Sequence, residues 1–141
     1  MPAGSYLDHL ANVPLFSSLS RRDLQKIARA SDEVEVGAGR ALVREGELGH
    51  EFFLIESGTA SVRRGGRKVA TLGPGQWFGE LAVLDRGRRN ATVEADSDMT
   101  LLVLGQREFL GVLDDVPGLA YKMLRQLATR VRENDARNVG H

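Results

Sequence analysis

The spacing of apolar residues divides the chain into a helical start, a β-rich middle and a helical end. In the first part, Leu24 and Ile27 lie three residues apart, as on the apolar face of a helix. Ser20 stands three residues before Asp23, which is a loose form of the capping box that begins many helices. We therefore predict a helix over residues 21–30, within an N-terminal helical segment that ends near residue 31.

Between residues 32 and 105 the apolar pattern changes to a period of two, which is typical of half-buried strands. Val34 and Val36 alternate with glutamates, and residues 52–55 form a compact apolar run of strand length. The Gly-Gly pair at residues 65–66 predicts a hairpin turn, since glycine tolerates positive φ. Many short strands separated by glycine turns are typical of a sandwich or jelly-roll barrel.

The last part, residues 106–137, is predicted to be helical. Pro117 suits the first turn of a helix, and a stripe of apolar side chains follows it at helical spacing. The stripe consists of Leu119, Met123, Leu124, Leu127 and Val131. Barely two heptads are too short for a stable coiled coil alone, so a homodimer through the C-terminal helix remains an open alternative.

Composition narrows the classes of function. The 141 residues fit a single domain, residues 1–141, and the absence of cysteine excludes disulfide scaffolds and thiol nucleophiles. Acidic and basic residues balance at 19 each, so the chain has no general attraction to nucleic acid or to anionic lipid. No membrane-spanning run and no secretory signal are present, and we expect a cytoplasmic protein.

One segment carries a pattern that suits binding chemistry. A glycine-rich approach leads to the short apolar run at residues 81–84, and the first backbone N–H groups of a helical turn there would bind an anion. Gly79 would let a ligand approach the backbone closely. Arg89 could hold a phosphate through two parallel hydrogen bonds, whereas Glu80 suits a ribose 2′-hydroxyl. The two side chains could also neutralise each other when no ligand is bound.

Residues 78–93, here called the cassette, resemble the phosphate-binding cassette of the cyclic-nucleotide-binding domain family. That family includes bacterial catabolite activator proteins, protein kinase A regulatory subunits and cyclic-nucleotide-gated channels. The resemblance rests on Phe78-Gly79-Glu80-Leu81-Ala82 and on Arg89-Asn90-Ala91-Thr92-Val93, which begins nine residues after the glutamate. Weaker motifs at residues 13–16, 44–47 and 53–58 extend it over nearly the whole chain.

The resemblance implies an α+β fold that is mainly β. Its centre is an eight-stranded jelly-roll β-barrel, flanked by N-terminal helices, a short cassette helix and a C-terminal lid helix. The expected ligand is a cyclic nucleotide, cAMP before cGMP, sensed by a bacterial stand-alone regulatory module that signals to an unidentified effector protein. We expect no enzymatic activity, no cofactor, no metal, and no direct contact with nucleic acid or membrane.

Carried over position by position, the resemblance assigns roles to the cassette residues. Glu80 would accept the ribose 2′-hydroxyl, Arg89 would pair with the cyclic phosphate, and Gly79 would let the ribose sit close. The expected ligand-binding set also contains Leu81, Ala82, Asn90 and Ala91, with Leu72 and Val69 packing on the ligand. Asn90 departs from the small or hydroxyl residue common in the family at that place, which leaves the choice of base open.

The end of the last helix is a candidate for reading the base. Three and four residues beyond Val131, the apolar stripe continues as Asn134 and Asp135. Asparagine can accept from the exocyclic amine of adenine and donate to a ring nitrogen. A helix that simply frays into solvent at this point is the alternative.

Two other classes of protein are compatible with the pattern to a lesser degree. An interaction or structural module on the same fold, with an empty or reassigned pocket, is disfavoured because Glu80 and Arg89 are both present. A cupin-like enzyme is disfavoured because the histidines, His9, His50 and His141, are too scattered to bind a metal.

Overall fold

The computed structural model describes the backbone of residues 3–139 and the side chains of residues 6–133. Five α-helices and a 3₁₀ turn lie before, within and after the strands. They are α1 (Ala3–Ala11), the 3₁₀ turn (Pro14–Phe16), α2 (Arg21–Ala30), α3 (Glu80–Asp85), α4 (Gln106–Asp115) and α5 (Pro117–Val139). Eight strands lie within the described residues: β1 (Asp32–Val36), β2 (Ala41–Val43), β3 (Glu51–Ser57), β4 (Ala60–Arg64), β5 (Arg67–Leu72), β6 (Trp77–Phe78), β7 (Thr92–Ala95) and β8 (Met99–Gly105).

The eight strands form two antiparallel sheets of four, so the predicted jelly roll is not a closed barrel. The first sheet has the order β1-β8-β3-β6 and the second has the order β2-β7-β4-β5. Sheets that face each other can bury a common core without closing, because each needs only one apolar face. The α+β jelly-roll fold is confirmed, with the eight strands at its centre.

Local signals place several elements where the sequence predicts them. The Ser20 hydroxyl accepts a hydrogen bond of 3.1 Å from the Asp23 backbone N–H, and α2 spans the predicted residues 21–30. The β4–β5 hairpin turns at Gly65 and Gly66, which both have positive φ, at 57° and 79°. This conformation is the reason why the turn contains two glycines.

The core has two layers, one on each face of the first sheet. Residues of β3 alternate between them: Phe53 and Ile55 face the second sheet, whereas Phe52 and Leu54 pack against the helices. The helix-side layer also contains Trp77. The helices therefore cover one face of the first sheet, and the cassette begins directly after its edge strand β6.

The apolar stripe predicted on the last helix is divided between two faces. Leu119 and Met123 are buried and Leu127 packs against the helix-side core, but Leu124 and Val131 are 64% and 57% exposed. The prediction of a single buried stripe was therefore wrong. The buried positions follow a four-residue spacing, so a residue one position later points away from the core. Among the helices that the structure describes, none is long and apolar enough to cross a membrane.

Candidate functional site

A left-handed turn at Gly79 connects β6 to α3 and shapes the cassette. Gly79 has a φ of 91° and is the N-cap of α3. A Cβ atom on this residue would lie 2.7 Å from Nη1 of Arg89 and 2.7 Å from the carbonyl oxygen of Glu51. Only glycine satisfies both the backbone conformation and this close packing. The first turn of α3 leaves the N–H groups of Leu81 and Ala82 without acceptors inside the helix.

Arg89 is held under this turn by backbone carbonyl groups. It is only 7% exposed, and its guanidinium donates to Gly79 O at 3.2 Å and to Glu51 O at 2.9 Å. These bonds use two of the five guanidinium N–H groups, so three can serve a ligand. Burial lowers the pKa of the Arg89 guanidinium, while the carboxylates of Glu51 and Glu80 oppose this effect. A guanidinium remains charged at neutral pH even so.

The backbone of Arg89 is fixed by the loop that precedes β3. Its carbonyl group accepts from Gly46 N–H at 2.8 Å, and its N–H donates to Glu47 O at 2.7 Å. Leu48 and Arg88 form an isolated antiparallel bridge beside these bonds. The position of the phosphate-binding candidate therefore depends on a loop about forty residues earlier in the chain.

Gly49 completes this packing and is a site residue that the sequence did not reveal. A Cβ atom at Gly49 would lie 2.4 Å from Cβ of Ala82 and 2.5 Å from Nε of Arg89. The glycine thus leaves the space in which the guanidinium lies against α3. From the sequence, Gly49 looked only like one of several turn glycines, since nothing local indicates what packs on it.

Glu80 is also buried, at 6% exposure, and its ionic partner differs from the one we expected. Its carboxylate lies 3.6 Å from Nη1 of Arg130 on α5, and it makes no ion pair with Arg89. Burial raises the pKa of the Glu80 carboxyl group, and its own backbone N–H, Arg130 and Arg89 partly offset that rise. Arg89 and Glu80 are therefore held by different parts of the fold. Arg89 is bonded to backbone carbonyl groups, whereas Glu80 is paired with Arg130 on α5.

Trp77 joins the cassette to α5 from the core side. Its ring is buried in the helix-side core, and the guanidinium carbon of Arg130 lies 4.3 Å from the ring centroid. Its indole N–H donates to Oε1 of Gln126 at 3.0 Å. The ring therefore packs in the core and also anchors the last helix. Arg130 and Gln126 were not predicted as site residues, because their partners lie about fifty residues away.

The other predicted site residues have varied environments. Ala82 and Ala91 are buried, whereas Leu81 and Asn90 are exposed on the cassette. Leu72 packs against the core between the sheets. Val69, expected to pack on the ligand, is 53% exposed.

The candidate base-reading residues, Asn134 and Asp135, fall within α5, but their side chains lie outside the described residues. In the part of the chain that the structure describes, no three His, Asp or Glu side chains are placed to hold a metal ion.

The sequence is similar to a family profile and to several known proteins. The sequence profile described as "Cyclic nucleotide-binding domain" matches residues 33–115. A cAMP-dependent protein kinase regulatory subunit from Hypocrea atroviridis is 38% identical over 81% of this chain and 25% of its own length. A cGMP-dependent protein kinase from Eimeria tenella is 35% identical over 87% of this chain and 12% of its own length.

A solved structure has the same overall fold. The catabolite activator protein of Thermus thermophilus superimposes with a TM-score of 0.81 at 32% identity, covering 88% of this chain and 61% of that one. The chain thus spans only part of each of these relatives. With the profile match covering more than half of its residues and the fold reproduced, this chain belongs to the cyclic nucleotide-binding domain family.

Proposed function

We propose that the cassette binds a cyclic nucleotide, with Arg89 on the phosphate and Glu80 on the ribose 2′-hydroxyl. The observation that carries this proposal is the burial of both charged residues, Glu80 and Arg89, within the cassette. Buried charges are costly unless they are paired, and they persist where function requires them. Three guanidinium N–H groups and the N–H groups of Leu81 and Ala82 supply the donors that a cyclic phosphate needs.

The proposed nucleotide is cAMP, with cGMP as the competitor. Relatives named for each nucleotide match the chain at similar identity, so family membership alone does not choose between them. Asn90 is exposed beside the arginine and contributes no hydroxyl to the site. Asn134 on α5 is the proposed reader of the adenine edge.

Isothermal titration with cAMP and with cGMP tests the proposal directly. We expect micromolar or tighter binding of cAMP and weaker binding of cGMP. Binding of neither nucleotide at micromolar concentration would contradict the proposed function and favour an interaction module with a reassigned pocket. A preference for cGMP would contradict only the proposed choice of base.

We further propose that the domain regulates by moving α5 and does not catalyse a reaction. Arg130 bonds the carboxylate that would receive the ribose, and it stacks on Trp77 beside Gln126. A ligand that engages Glu80 therefore changes the environment of a residue on α5. Such a contact gives the ligand a different affinity for docked and released states of the helix, which is the requirement for a population shift.

Gly49→Ala should weaken cAMP binding by about tenfold or more, because the new Cβ would displace Arg89. The measurement is isothermal titration, with thermal unfolding to confirm that the variant is folded. Gly73→Ala is the matched control, since a Cβ there meets nothing within 4 Å. Equal affinities in both variants would show that the space at Gly49 does not position the arginine.

Arg130→Ala should weaken cAMP binding by about two- to fivefold and reduce amide exchange protection in the second half of α5. Its ion pair and ring contact are partly exposed, so together they contribute about 0.5–1 kcal/mol. Hydrogen–deuterium exchange measures the protection. Arg125→Ala serves as the control, because that arginine lies on the same helix, over the Tyr121 ring. Unchanged exchange in Arg130→Ala would contradict the coupling.

The exposed face of α5 supports a homodimer as the form in which the domain acts. Its exposed positions Tyr121, Leu124, Ala128 and Val131 follow the 3-4-3 spacing of a coiled-coil seam. We propose that a second copy of this chain covers this face, because packing the two identical seams against each other would bury the apolar side chains of both copies. The effector protein that receives the signal is a separate partner.

Leu124→Glu should weaken self-association by about tenfold or more, because two carboxylates would face each other in the seam. Sedimentation velocity over a concentration series measures the change. Thr129→Glu adds the same charge at an exposed position outside the seam and should leave association unchanged. A wild-type chain that stays monomeric at high micromolar concentration would refute the homodimer.

A further inference from the structure

A second concave site lies on the helix side of the first sheet, away from the cassette. This cavity of about 240 Å³ is lined by Tyr6 and His9 of α1 and by three sheet glutamates, Glu33, Glu35 and Glu56. Among the described residues, no lysine or arginine lines it, and no cassette residue reaches it. A cavity of about 480 Å³ adjoins it and adds another carboxylate, that of Asp98. The surface is therefore strongly acidic in a chain whose overall charge is zero.

The register of the first sheet brings the glutamates together. Glu33 and Glu35 of β1 pair with Leu102 and Thr100 of β8, so both face the helix side. On β3, Ile55 pairs with Leu101 and Ser57 pairs with Thr100. Glu56 is thus the extra residue of a β-bulge, and a bulge re-aims a side chain.

Glu56 is buried without a full set of partners. Its side chain is 3% exposed, and its Oε2 atom lies 3.7 Å from Nε2 of His9. Its Oε1 atom is a buried side-chain polar atom with no hydrogen-bond donor among the described residues as long as the neighbouring Glu33 carboxyl group is ionised. A buried carboxylate oxygen without a donor is costly, and a donor delivered by a ligand removes that cost.

The chemistry of the cavity selects a particular kind of ligand. Three carboxylates attract a cation, and an aromatic residue such as Tyr6 in the lining can add to the attraction. No three of the described acidic or histidine side chains lie close enough to share a metal ion, which favours an organic cation at this cavity. A volume of about 240 Å³ holds a small organic group. A guanidinium or an alkylammonium group has several N–H donors, which can reach separate carboxylates at once.

We propose that this cavity is a binding site for an organic cation with N–H donors, a guanidinium or an alkylammonium group. The cation bonds Oε1 of Glu56 and neutralises Glu33 and Glu35. It arrives either as a free small molecule or as an arginine or lysine side chain of a peptide. The site is independent of the cassette, so its occupancy does not require a cyclic nucleotide.

Binding of this cation should depend on pH. Burial, then the hydrogen bond and charge of Glu33, raise the pKa of the Glu56 carboxyl group to about 7. Below that pH a proton neutralises Glu56, whereas above it the carboxylate is free to bind a cation. The other titratable groups that face Glu56 are Tyr6, His9, Glu33 and Glu35.

The test is a titration followed by two-dimensional amide NMR, with methylguanidinium as the free cation and acetyl-Gly-Arg-Gly-amide as the peptide form. Tetramethylammonium, which has the charge but no N–H donor, is the chemical control. We expect saturable chemical-shift changes of the Tyr6, His9 and Thr100 amides. The affinity should fall as the pH is lowered from 8 to 6. Shifts by methylguanidinium alone support a free ligand, and shifts by both probes support a side chain.

Variants separate the proposed site from general charge attraction. Glu56→Gln should weaken binding by about tenfold or more, and Glu35→Gln, at the exposed rim, should weaken it less. Glu94→Gln, on the second sheet, should have no effect. Equal, unsaturable shifts from methylguanidinium and tetramethylammonium would overturn the proposal. Unchanged affinity in both Glu56→Gln and Glu35→Gln would overturn it as well.

Discussion

Arg89→Ala is expected to lower the affinity for cAMP by about 2–5 kcal/mol, or roughly 30- to 4000-fold. The guanidinium is buried under the Gly79 turn, and carbonyl groups of Gly79 and Glu51 already orient it. Its remaining N–H groups are therefore organised before a phosphate arrives. Isothermal titration measures the loss, and urea unfolding reports whether the variant is still folded, because the two carbonyl groups lose their donors.

Two variants make this result interpretable. Arg89→Lys keeps the charge but cannot form parallel hydrogen bonds, so its affinity should lie between those of the wild type and Arg89→Ala. Arg86→Ala removes an exposed arginine from the same loop and should change affinity little. If Arg86→Ala and Arg89→Ala lose affinity equally, the effect comes from net charge and not from a defined phosphate contact.

Trp77→Ala is expected to lower the free energy of unfolding by about 3–5 kcal/mol, as for other large buried aromatic residues. The ring is 2% exposed and packs beside Phe52 with a centroid distance of 5.9 Å. Its removal leaves a cavity beneath α5 and strands the Gln126 side chain without its donor. Urea denaturation measures the loss. Exchange protection of α5 should fall more than that of β8, because α5 loses contacts with the ring directly.

Trp77→Phe separates packing from hydrogen bonding. It keeps an aromatic face for Arg130 but loses the bond to Gln126, so we expect a cost of about 1–2 kcal/mol. A loss of less than about 1 kcal/mol in Trp77→Ala would contradict the buried position of the ring.

Features encoded by neighbouring residues could be predicted from the sequence. The cap at Ser20, the pair Gly65-Gly66 and the change of period near Asp32 each act over a few residues. The cassette could also be identified, because its glycine, acid and arginine lie within one short segment. Pro117 begins α5 as its fixed φ suggested.

Features that depend on distant contacts could not be predicted in this way. The partner of Glu80 is Arg130, fifty residues later, and the nearer Arg89 is directed to backbone carbonyl groups instead. The need for glycine at residue 49 arises only when the loop folds against Arg89. The bulge at Glu56 depends on the register between β3 and β8, which an alternating pattern does not specify.

The hydrogen bonds between Arg89 and the loop at residues 46–49 have a consequence for biosensor engineering. A reporter domain inserted in that loop would break the bonds from Gly46 and to Glu47, and the arginine would lose its place. The Gly65-Gly66 turn is also exposed and rich in glycine, but a Cβ there meets nothing within 4 Å. The Gly65 N–H donates to the Glu45 carboxylate, but the hairpin turn is not bonded to Arg89, so it is the better of the two loops for a fused reporter.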